Sequence, residues 1–490
     1  MTFSEQAKST RGEPAAPSAP HIRGRMGPFE LAFFVVAAAG PLLVVAGFAP
    51  LAFMIGGIGA PGAQLVAGIV LLLFAVGLTR MALRIKNAGA FYSYIGQGLG
   101  RPAGGGAATL ATTAYSVIAI GQLGAVGAFA VVPVKDAFGV DVPWPVFSLA
   151  AFAIVAFLGH RRISLSAKVL GIALLLEAAI LLVLAAPVLL KGGAEGFDLN
   201  SFAPSAVFAG GGTGAMFAIV FGAFIGFEST AIYAEEARDP ERTVPRAVYL
   251  AVGFLAIFYT FMAWVVYVAY GKSKIVGAAT DDPVGLVFAA TEQYVGRGAV
   301  VMMELLLVTS AFASTLAFHN TASRYLFTLG RERMLPRALA RVHPRHHSPY
   351  VASAAQATIA LVAICAFMVA GADPYLQVFL LMVAPGVLAV IVLQALCSLA
   401  IVSYFNRVNT AHGLTVWSTM VAPLLSLGGL GVASWLVARN FELLSGRTDW
   451  VNVLLLSVIP VAFLIGTARA LQLRRSDPAV YAQLTKTEVH

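Results

Sequence analysis

Residues 221–230 read FGAFIGFEST and lie in the middle of an apolar stretch, 213–236, that is long enough to cross a bilayer as one helix. Gly222 and Gly226 lower the helix propensity at this point and let a neighbouring backbone approach closely. The same GxxxG spacing also occurs where two membrane helices merely pack tightly. The stretch therefore predicts a membrane helix that is either interrupted or closely packed near its middle.

A second candidate interruption lies at residues 37–42, which read AAAGPL near the middle of the first apolar stretch, 29–54. Pro41 removes one backbone donor and frees a carbonyl, although proline kinks are common in membrane helices. The two interruptions occupy corresponding positions in the first and the sixth apolar stretches. Transporters with inverted repeats bind substrate where two such helices unwind, so the pair predicts a substrate site at the breaks.

The amino-acid composition is strongly apolar. Of its 490 residues, 59% are hydrophobic and 11% are charged, and the mean hydropathy is +0.84, so one soluble core could not bury the apolar surface. The apolar runs are continuous, whereas the strands of a β-barrel would alternate in segments of about 10 residues. We therefore predict an all-α integral membrane protein with about twelve transmembrane helices, at 29–54, 62–83, 103–133, 144–160, 164–190, 213–236, 246–270, 298–328, 350–370, 376–404, 415–437 and 451–472.

The basic residues predict the orientation of these helices. If the N-terminus is cytoplasmic, 25 of the 32 Lys and Arg residues lie on the cytoplasmic side and 7 on the other. The positive-inside rule then predicts a multi-pass protein of the plasma membrane with both termini in the cytoplasm. The net charge of +9 is spread over successive loops, which suits anionic lipid headgroups, and no basic stripe points to a nucleic-acid partner.

The chain divides into one long membrane domain and two short ends. Residues 1–28 are rich in Ala, Pro, Ser and Arg and have no short apolar core before a cleavage site. They are expected to form a disordered cytoplasmic tail, not a cleaved signal peptide. The transmembrane domain is predicted at 29–472, and residues 473–490 are predicted to be a cytoplasmic C-terminal tail.

Several apparent motifs have simpler interpretations. The glycine runs at 104–106 and 210–214 lack the Lys and Ser or Thr that complete a phosphate loop. The histidines of segment 343–347 lie among arginines and prolines, which favours a solvated basic loop over a metal site. Cys365 and Cys397 have no CxxC partner and are predicted to be buried thiols. No set of catalytic residues is recognisable, so the protein is not expected to be an enzyme. No metal or cofactor site is expected either.

A resemblance to a known family begins at the sixth apolar stretch. The segments that carry it are 224–229 (FIGFES), 235–240 (EEARDP), 243–247 (TVPRA) and 89–94 (GAFYSY). They resemble the signature of the amino acid/polyamine/organocation permeases, and the likeness covers about residues 29–471. The resemblance implies the leucine-transporter fold, a five-plus-five inverted repeat with two further C-terminal helices, in which helices 1 and 6 are broken.

The resemblance also implies a function. The chain is expected to be a permease, a secondary active transporter that moves amino acids or related small amines across the plasma membrane by alternating access driven by an ion gradient. The buried carboxylate Glu177 favours proton-coupled symport over sodium coupling. Two alternatives stay open, an exchanger and a non-transporting membrane sensor of the same fold. A channel would be expected to show a repeated filter or rings of charge. The expected partners are a small-molecule substrate and the lipid bilayer, and the oligomeric state is left open.

The substrate site is predicted between the two breaks, with helix-end dipoles facing the charged groups of the substrate. Phe224 and Phe227 are expected to supply apolar walls. Two departures from the family pattern limit the range of expected substrates. Gly40-Pro41 stands where relatives carry a glycine run that binds a carboxylate, and Gly222 stands where arginine-exchanging relatives carry an aromatic gate. A small or neutral amino acid or amine is therefore favoured over a bulky dibasic one. The predicted substrate-binding residues are Ala39, Gly40, Pro41, Phe224, Ile225, Gly226, Phe227 and Glu228.

Carboxylates within the predicted helices are further candidates, because a charge at the bilayer centre is costly unless it is paired, protonated or hydrated. Glu304 follows Arg297 by two helical turns, so an ion pair and a gate role are equally plausible there. Glu177 lies deep among apolar neighbours, and the resemblance implies that it stands where relatives often carry a lysine. It is predicted to couple transport to a proton, or with Ser310 and Ser314 to a sodium ion, the alternative being a structural hydrogen bond.

Overall fold

The computed structural model describes residues 27–85, 90–161, 167–228, 238–346, 348–408, 415–445 and 447–485. Its regular secondary structure is helical throughout these residues. Ser229, Glu235 and Glu236 of the predicted sixth helix, nearly all of the predicted N-terminal tail, and residues 486–490 of the C-terminal tail lie outside the described residues. The helices are α1 (Pro28–Ala39), α2 (Pro41–Leu43), α3 (Ala49–Gly56), α4 (Ala60–Arg84), α5 (Ala90–Leu99), α6 (Arg101–Phe138), α7 (Trp144–Arg161), α8 (Ala167–Leu190), α9 (Pro204–Phe208), α10 (Thr213–Gly222), α11 (Pro240–Tyr270), α12 (Ile275–Asp281), α13 (Leu286–Tyr294), α14 (Arg297–Arg331), α15 (Tyr350–Val369), α16 (Leu381–Arg407), α17 (Ala422–Arg439), α18 (Phe441–Ser445), α19 (Trp450–Ser476) and α20 (Pro478–Gln483), with π-helical turns at Val44–Phe48, Pro374–Leu380 and Trp417–Val421.

Helices long and apolar enough to cross a membrane make up most of the described chain. Ten such segments are found among the described residues by length and composition, and the apolar helix α10 is shorter. One of the ten, Pro41–Arg84, contains Gly57, whose positive φ of 77° ends α3 before α4 begins. These segments confirm an all-helical, multi-pass membrane protein.

The interruption of the first helix lies at Gly40. α1 ends at Ala39 and α2 begins at Pro41, while Gly40 between them is left-handed with a φ of 65° and a ψ of 77°. A glycine adopts this conformation without the steric penalty that a Cβ would bring. A Cβ on Gly40 would also lie 2.8 Å from the hydroxyl oxygen of Ser310. Both the left-handed backbone and the close approach of α14 therefore require glycine here.

The helix of the sixth apolar stretch ends near its predicted interruption. α10 stops at Gly222, residues 223–226 form turns, and Gly226 has a φ of 120°. Apart from its two chain neighbours, no described residue has an atom within 4 Å of a Cβ built on Gly226. The positive φ, rather than the close backbone approach predicted from the sequence, is what favours glycine at this position.

α6 runs through the middle of the bundle and packs against α7, α14, α16 and α19. Its glycines let the helices approach closely, because a Cβ on Gly105 would lie 2.9 Å from the main-chain oxygen of Gly466 on α19. The glycine run 104–106, which lacks the residues of a phosphate loop, thus forms a helix-packing surface.

The described part of the C-terminal segment packs against the end of the bundle. α20 follows α19, and Asp477 between them forms an ion pair of 3.2 Å with Arg333. Gln97 on α5 donates a hydrogen bond of 3.2 Å to the main-chain oxygen of Thr485. A Cβ on Gly104 would lie 2.8 Å from the Thr485 methyl group. Residues up to Thr485 therefore hold α5, α6 and α14 together at one end of the molecule.

The two cysteines differ in exposure. Cys397 on α16 is buried, as predicted, but Cys365 on α15 is exposed, so the prediction of two buried thiols was wrong for Cys365. α15 packs against α7 and α14 with one face, and Cys365 lies on a face that these helices leave uncovered. In a membrane protein an uncovered apolar face contacts lipid, so an apolar neighbourhood in the sequence does not show whether a residue is buried by protein.

Candidate functional site

A small cavity, here called the central cavity, lies between the two helix interruptions, and all the residues that line it are buried. Its volume of about 10 Å³ is close to the space that one water molecule occupies. α1, α6, α10, α14 and α16 each contribute residues to its wall. The residues that line it are Ala39, Val44, Phe48, Ile118, Gln122, Gly222, Ile225, Ser314, Phe318 and Val383. A small ligand could enter only if these helices moved apart.

The predicted substrate-binding residues divide into two groups. Ala39 and Ile225 line the central cavity, and Gly40 and Pro41 follow directly at the break. Phe224 and Phe227 are fully buried elsewhere and do not belong to the lining.

The two phenylalanines pack between other helices. The Phe224 ring lies 5.9 Å from that of Tyr259 on α11, and the Phe227 ring lies 6.2 Å from that of Phe74 on α4. Where α10 gives way to turns, helical spacing no longer predicts which side chains face the cavity. The structure therefore places these two rings in a packing role behind the break.

Glu228 is held within the protein and does not line the central cavity. Its Oε1 accepts a hydrogen bond of 2.6 Å from the Tyr115 hydroxyl, and its Oε2 accepts one of 3.0 Å from the main-chain N–H of Gly226. The Tyr115 ring in turn stacks against those of Tyr325 and Phe318 at 5.5 and 6.2 Å. Glu228 therefore satisfies a donor that the interrupted helix leaves free, and ties the break to α6.

Glu177 joins three helices at the other break. Its Oε2 accepts a hydrogen bond of 3.1 Å from the main-chain N–H of Leu42, in the first turn of α2, and one of 3.0 Å from the Ser310 hydroxyl. Only 2% of its surface is exposed. The first N–H groups of a helix have no partner within that helix, and the Glu177 carboxylate satisfies one of them. Glu177 thus connects α8, the first break and α14.

Of the two serines predicted to accompany Glu177, the structure brings only Ser310 to it. Ser314 lies one turn further along α14 and lines the central cavity instead. Its hydroxyl is fully buried and has no hydrogen-bond partner among the described residues. A buried polar atom without a partner is costly, so Ser314 is poised to bind a ligand that enters the cavity.

Gln122 on α6 is a candidate that the sequence analysis missed. It lines the central cavity with 3% of its surface exposed, and its side-chain oxygen has no hydrogen-bond partner in the described part of the chain. It is the one polar side chain in residues 117–134, which read VIAIGQLGAVGAFAVVPV. This isolation within an apolar stretch is the signal in the sequence that marks Gln122. Gln122 and Ser314 give an otherwise apolar cavity two unpaired polar groups.

Four aromatic side chains close the space between the central cavity and a larger cavity. They are Phe48, Phe129, Tyr375 and Phe379, here called the aromatic group, with ring centroids 5.3 Å apart for Phe48 and Phe379 and 5.7 Å apart for Phe129 and Tyr375. The Tyr375 hydroxyl donates a hydrogen bond of 2.7 Å to the main-chain oxygen of Gly47. Phe48 borders the central cavity, whereas Phe129 and Tyr375 border the larger one. The aromatic group therefore separates the two spaces.

The larger cavity, here called the vestibule, is open and has a volume of about 830 Å³. It lies where the C-terminal end of α6 and the N-terminal ends of α7 and α14 meet the turn at Pro374–Leu380. Ligand cavities of this size accept small organic molecules. Together with the aromatic group and the central cavity, the vestibule outlines a path from one surface of the molecule to the helix breaks.

Known proteins share both the sequence pattern and the fold. The family model described as amino acid permease matches residues 26–463. The chain is 27% identical over 217 residues to the branched-chain amino acid permease BcaP of Bacillus subtilis, covering 42% of this chain and 43% of that protein. It is 26% identical over 309 residues to the chloroplastic cationic amino acid transporter 7 of Arabidopsis thaliana, covering 59% of this chain and 51% of that protein.

The matches to curated relatives are partial. An uncharacterized transporter of Mycobacterium tuberculosis is 32% identical over 155 residues, covering 32% of this chain and 33% of that relative. The matches to the Bacillus permease and the Arabidopsis transporter span 43% and 51% of those proteins. The crystal structure of a manganese transporter of Eremococcus coleocola aligns with a TM-score of 0.59 at 14% identity, covering 91% of this chain and 94% of that chain. This structural likeness shows a shared fold, and the family match over nearly the whole chain shows that the protein belongs to the amino acid permease family.

Proposed function

We propose that the protein is a secondary active transporter that carries a small neutral amino acid or a related small amine by alternating access. The observation that carries the proposal is the meeting of two interrupted helices at a buried cavity that contains two unpaired polar groups, Gln122 and Ser314. In inverted-repeat transporters the substrate binds where such helices unwind. The branched-chain amino acid permease and the cationic amino acid transporter named above support an amino acid as the substrate.

The walls of the central cavity support a small substrate. Ile118, Ile225, Phe318 and Val383 are apolar, and no carboxylate or basic side chain lines the cavity in the described part of the chain. A second cationic group on the substrate would lack a partner there, at a considerable cost. A dibasic amino acid is therefore a poorer candidate than a neutral one, and the helix ends at the breaks supply partial charges for the ammonium and the carboxylate.

The proposed architecture has twelve transmembrane helices in a five-plus-five inverted repeat with two further helices. Two observations support twelve rather than ten. The segment Pro41–Arg84 changes course at Gly57, so it combines the end of one predicted helix with the whole of the next. α10 is the first half of the predicted sixth helix, whose second half lies outside the described residues. The proposal places both termini in the cytoplasm and the protein in the plasma membrane.

We further propose that a proton drives transport and that Glu177 carries it. A carboxyl group can accept and release a proton, and the proton state of Glu177 would alter its hydrogen bonds to the first break and to Ser310. Transport would then be symport. Exchange without a gradient and sodium coupling are the competing accounts, since the Glu177 and Ser310 oxygens could also serve as sodium ligands.

The experiment is uptake into proteoliposomes from a panel of radiolabelled neutral, acidic and basic amino acids and small amines, with and without an inward proton gradient. We expect accumulation of a small neutral amino acid or amine that depends on the gradient. Glu177→Gln should lose gradient-driven accumulation while it still exchanges substrate across the membrane. Accumulation unchanged in Glu177→Gln would leave Glu177 a structural residue, and accumulation of no compound by the unmodified protein would favour a non-transporting sensor.

A further inference from the structure

The vestibule is rich in carboxylates. Five of them line it, at Asp141, Asp282, Glu292, Glu304 and Asp373, against one guanidinium, Arg297. This balance is opposite in sign to the net charge of +9 carried by the whole chain. A concave surface lined by one sign of charge raises the local concentration of ligands of the other sign, so the vestibule favours cations.

The basic residues at the vestibule are already paired. Arg297 forms an ion pair with Asp136, and Lys135 forms one of 2.7 Å with Asp141. The ion pair between Arg297 and Glu304, which the sequence left as one of two possibilities, is therefore not formed. Arg297 still acts on Glu304 electrostatically, but its guanidinium is bonded to Asp136.

Glu304 is the deepest of these carboxylates. Only 4% of its surface is exposed, yet it borders the vestibule, and its Oε2 has no hydrogen-bond partner among the described residues. Removing a carboxylate from water without a partner is costly, and an approaching cation offsets that cost. Asp282 and Asp373, in contrast, accept hydrogen bonds from main-chain N–H groups beside them. Among the carboxylates of the vestibule, the buried Glu304 would therefore gain the most from binding a cation.

Aromatic side chains form much of the remaining wall, at Phe129, Trp144, Phe288 and Tyr375. Aromatic rings attract ammonium groups through their electron-rich faces and also contact the apolar part of an amine. A metal ion is a weaker candidate, because no group of three or more His, Cys, Asp or Glu side chains in the described residues is arranged to hold one. The combination of one buried carboxylate with aromatic walls suits an organic ammonium.

We propose that the vestibule is a binding site for a small organic cation, in which Glu304 pairs with the ammonium group and the aromatic walls hold its apolar part. The site is separate from the central cavity, since the aromatic group lies between them. By the predicted topology it opens on the outer face, where it concentrates amines before they reach the helix breaks. The site does not require that the protein transports an amine.

The test places a reporter inside the vestibule. Ala289 borders it and is exposed, so Ala289→Cys, in a Cys365→Ser background, offers a thiol at the site. The rate of modification by trimethylammonium-ethyl methanethiosulfonate is compared with that by the sulfonate-ethyl reagent, in purified protein. We expect the cationic reagent to react about tenfold faster at this site, relative to the ratio of the two reagents with a free thiol. n-Butylammonium should slow the reaction, whereas n-butanol, with the same chain and no charge, should not.

Two matched variants identify the carboxylate. Glu304→Gln should weaken protection by n-butylammonium about tenfold or more, while Glu442→Gln, an exposed carboxylate on α18 outside the vestibule, should leave it unchanged. Glu304→Asp, which keeps the charge, should retain most of the protection. Equal protection by n-butanol, or undiminished protection in Glu304→Gln, would overturn the proposal. The n-butanol comparison needs no change at Glu304, so it stands even if Glu304→Gln does not fold, and neither readout depends on transport.

Discussion

Gly40→Ala tests the left-handed break in the first helix. Gly40 has a φ of 65°, where a residue with a Cβ costs about 1–2 kcal/mol. The added Cβ would also lie 2.8 Å from the Ser310 hydroxyl, which donates to Glu177. If the serine is pushed away, a hydrogen bond to a charged group worth about 1.5–3 kcal/mol is lost as well. The two losses together are expected to lower stability by about 2.5–5 kcal/mol.

Thermal unfolding in detergent, followed by the fraction that stays monodisperse, measures this loss. The entropy of unfolding grows with chain length, so 490 residues lose about 1 °C of melting temperature per kcal/mol. Gly40→Ala should accordingly melt about 2.5–5 °C lower. The matched control is Gly253→Ala on α11, where φ is not positive and, apart from its two chain neighbours and the backbone of the helix itself, no described residue has an atom within 4 Å of the new Cβ. Alanine should stabilise that helix slightly.

A double variant separates the two contributions. In a Ser310→Ala background the clash and the hydrogen bond are both absent, so Gly40→Ala should lower the melting temperature by the backbone part alone, about 1–2 °C. If Gly40→Ala melts no lower than Gly253→Ala, the left-handed break is not what the glycine provides. If the decrease is the same with Ser310 and with alanine in its place, the contact with α14 is irrelevant.

Three further predictions concern the cavity, its closure and an adjoining loop. Gln122→Leu removes an unpaired buried amide, so it should reduce uptake at least about tenfold while stability stays constant or rises by about 1 kcal/mol; a loss of stability equal to that of other core substitutions would indicate a structural residue. Tyr375→Phe removes the 2.7 Å hydrogen bond to the main-chain oxygen of Gly47 and should loosen the aromatic group. A Ser314→Cys reporter in the central cavity should then react faster with the cationic thiol reagent, and an unchanged rate would argue against closure by the aromatic group. The Tyr267 hydroxyl donates a hydrogen bond of 2.6 Å to Asp198 and lowers the pKa of Asp198 below its usual value. The stability that this pair contributes is present above the unfolded pKa of about 3.9 and is lost as the pH falls through the lower folded value, so Asp198→Asn should flatten the acid side of the stability profile.

The sequence could predict the features that depend on local backbone chemistry. Gly40-Pro41 marks the first break because proline cannot continue the hydrogen-bond pattern, and Gly222 marks the end of α10 for lack of helix propensity. The depth of Glu177 followed from the apolar residues around it. Its contact with the first break did not follow, because that contact joins residues far apart in the chain.

Features that depend on tertiary packing could not be predicted from the sequence. Arg297 and Glu304 lie on the same helix, but the Arg297 guanidinium forms its ion pair with Asp136 at the end of α6. Asp136 is far from Arg297 in the sequence, and only the folded bundle brings the two residues together. Phe224 and Phe227 face away from the cavity because the turns after Gly222 change the direction of successive side chains. A candidate residue on a regular helix is thus easier to place from sequence than one just beyond a break.

The central claim is that substrate binds between the two helix breaks and is moved by alternating access. Counterflow tests it most directly, because labelled substrate enters preloaded proteoliposomes only if one site opens to each side in turn. The account predicts counterflow of a small neutral amino acid or amine by the unmodified protein. It also predicts that Gly226→Val, which places a β-branched residue at a φ of 120°, abolishes counterflow while membrane expression is retained. Normal counterflow by Gly226→Val, or no counterflow of any tested compound by the unmodified protein, would contradict the claim.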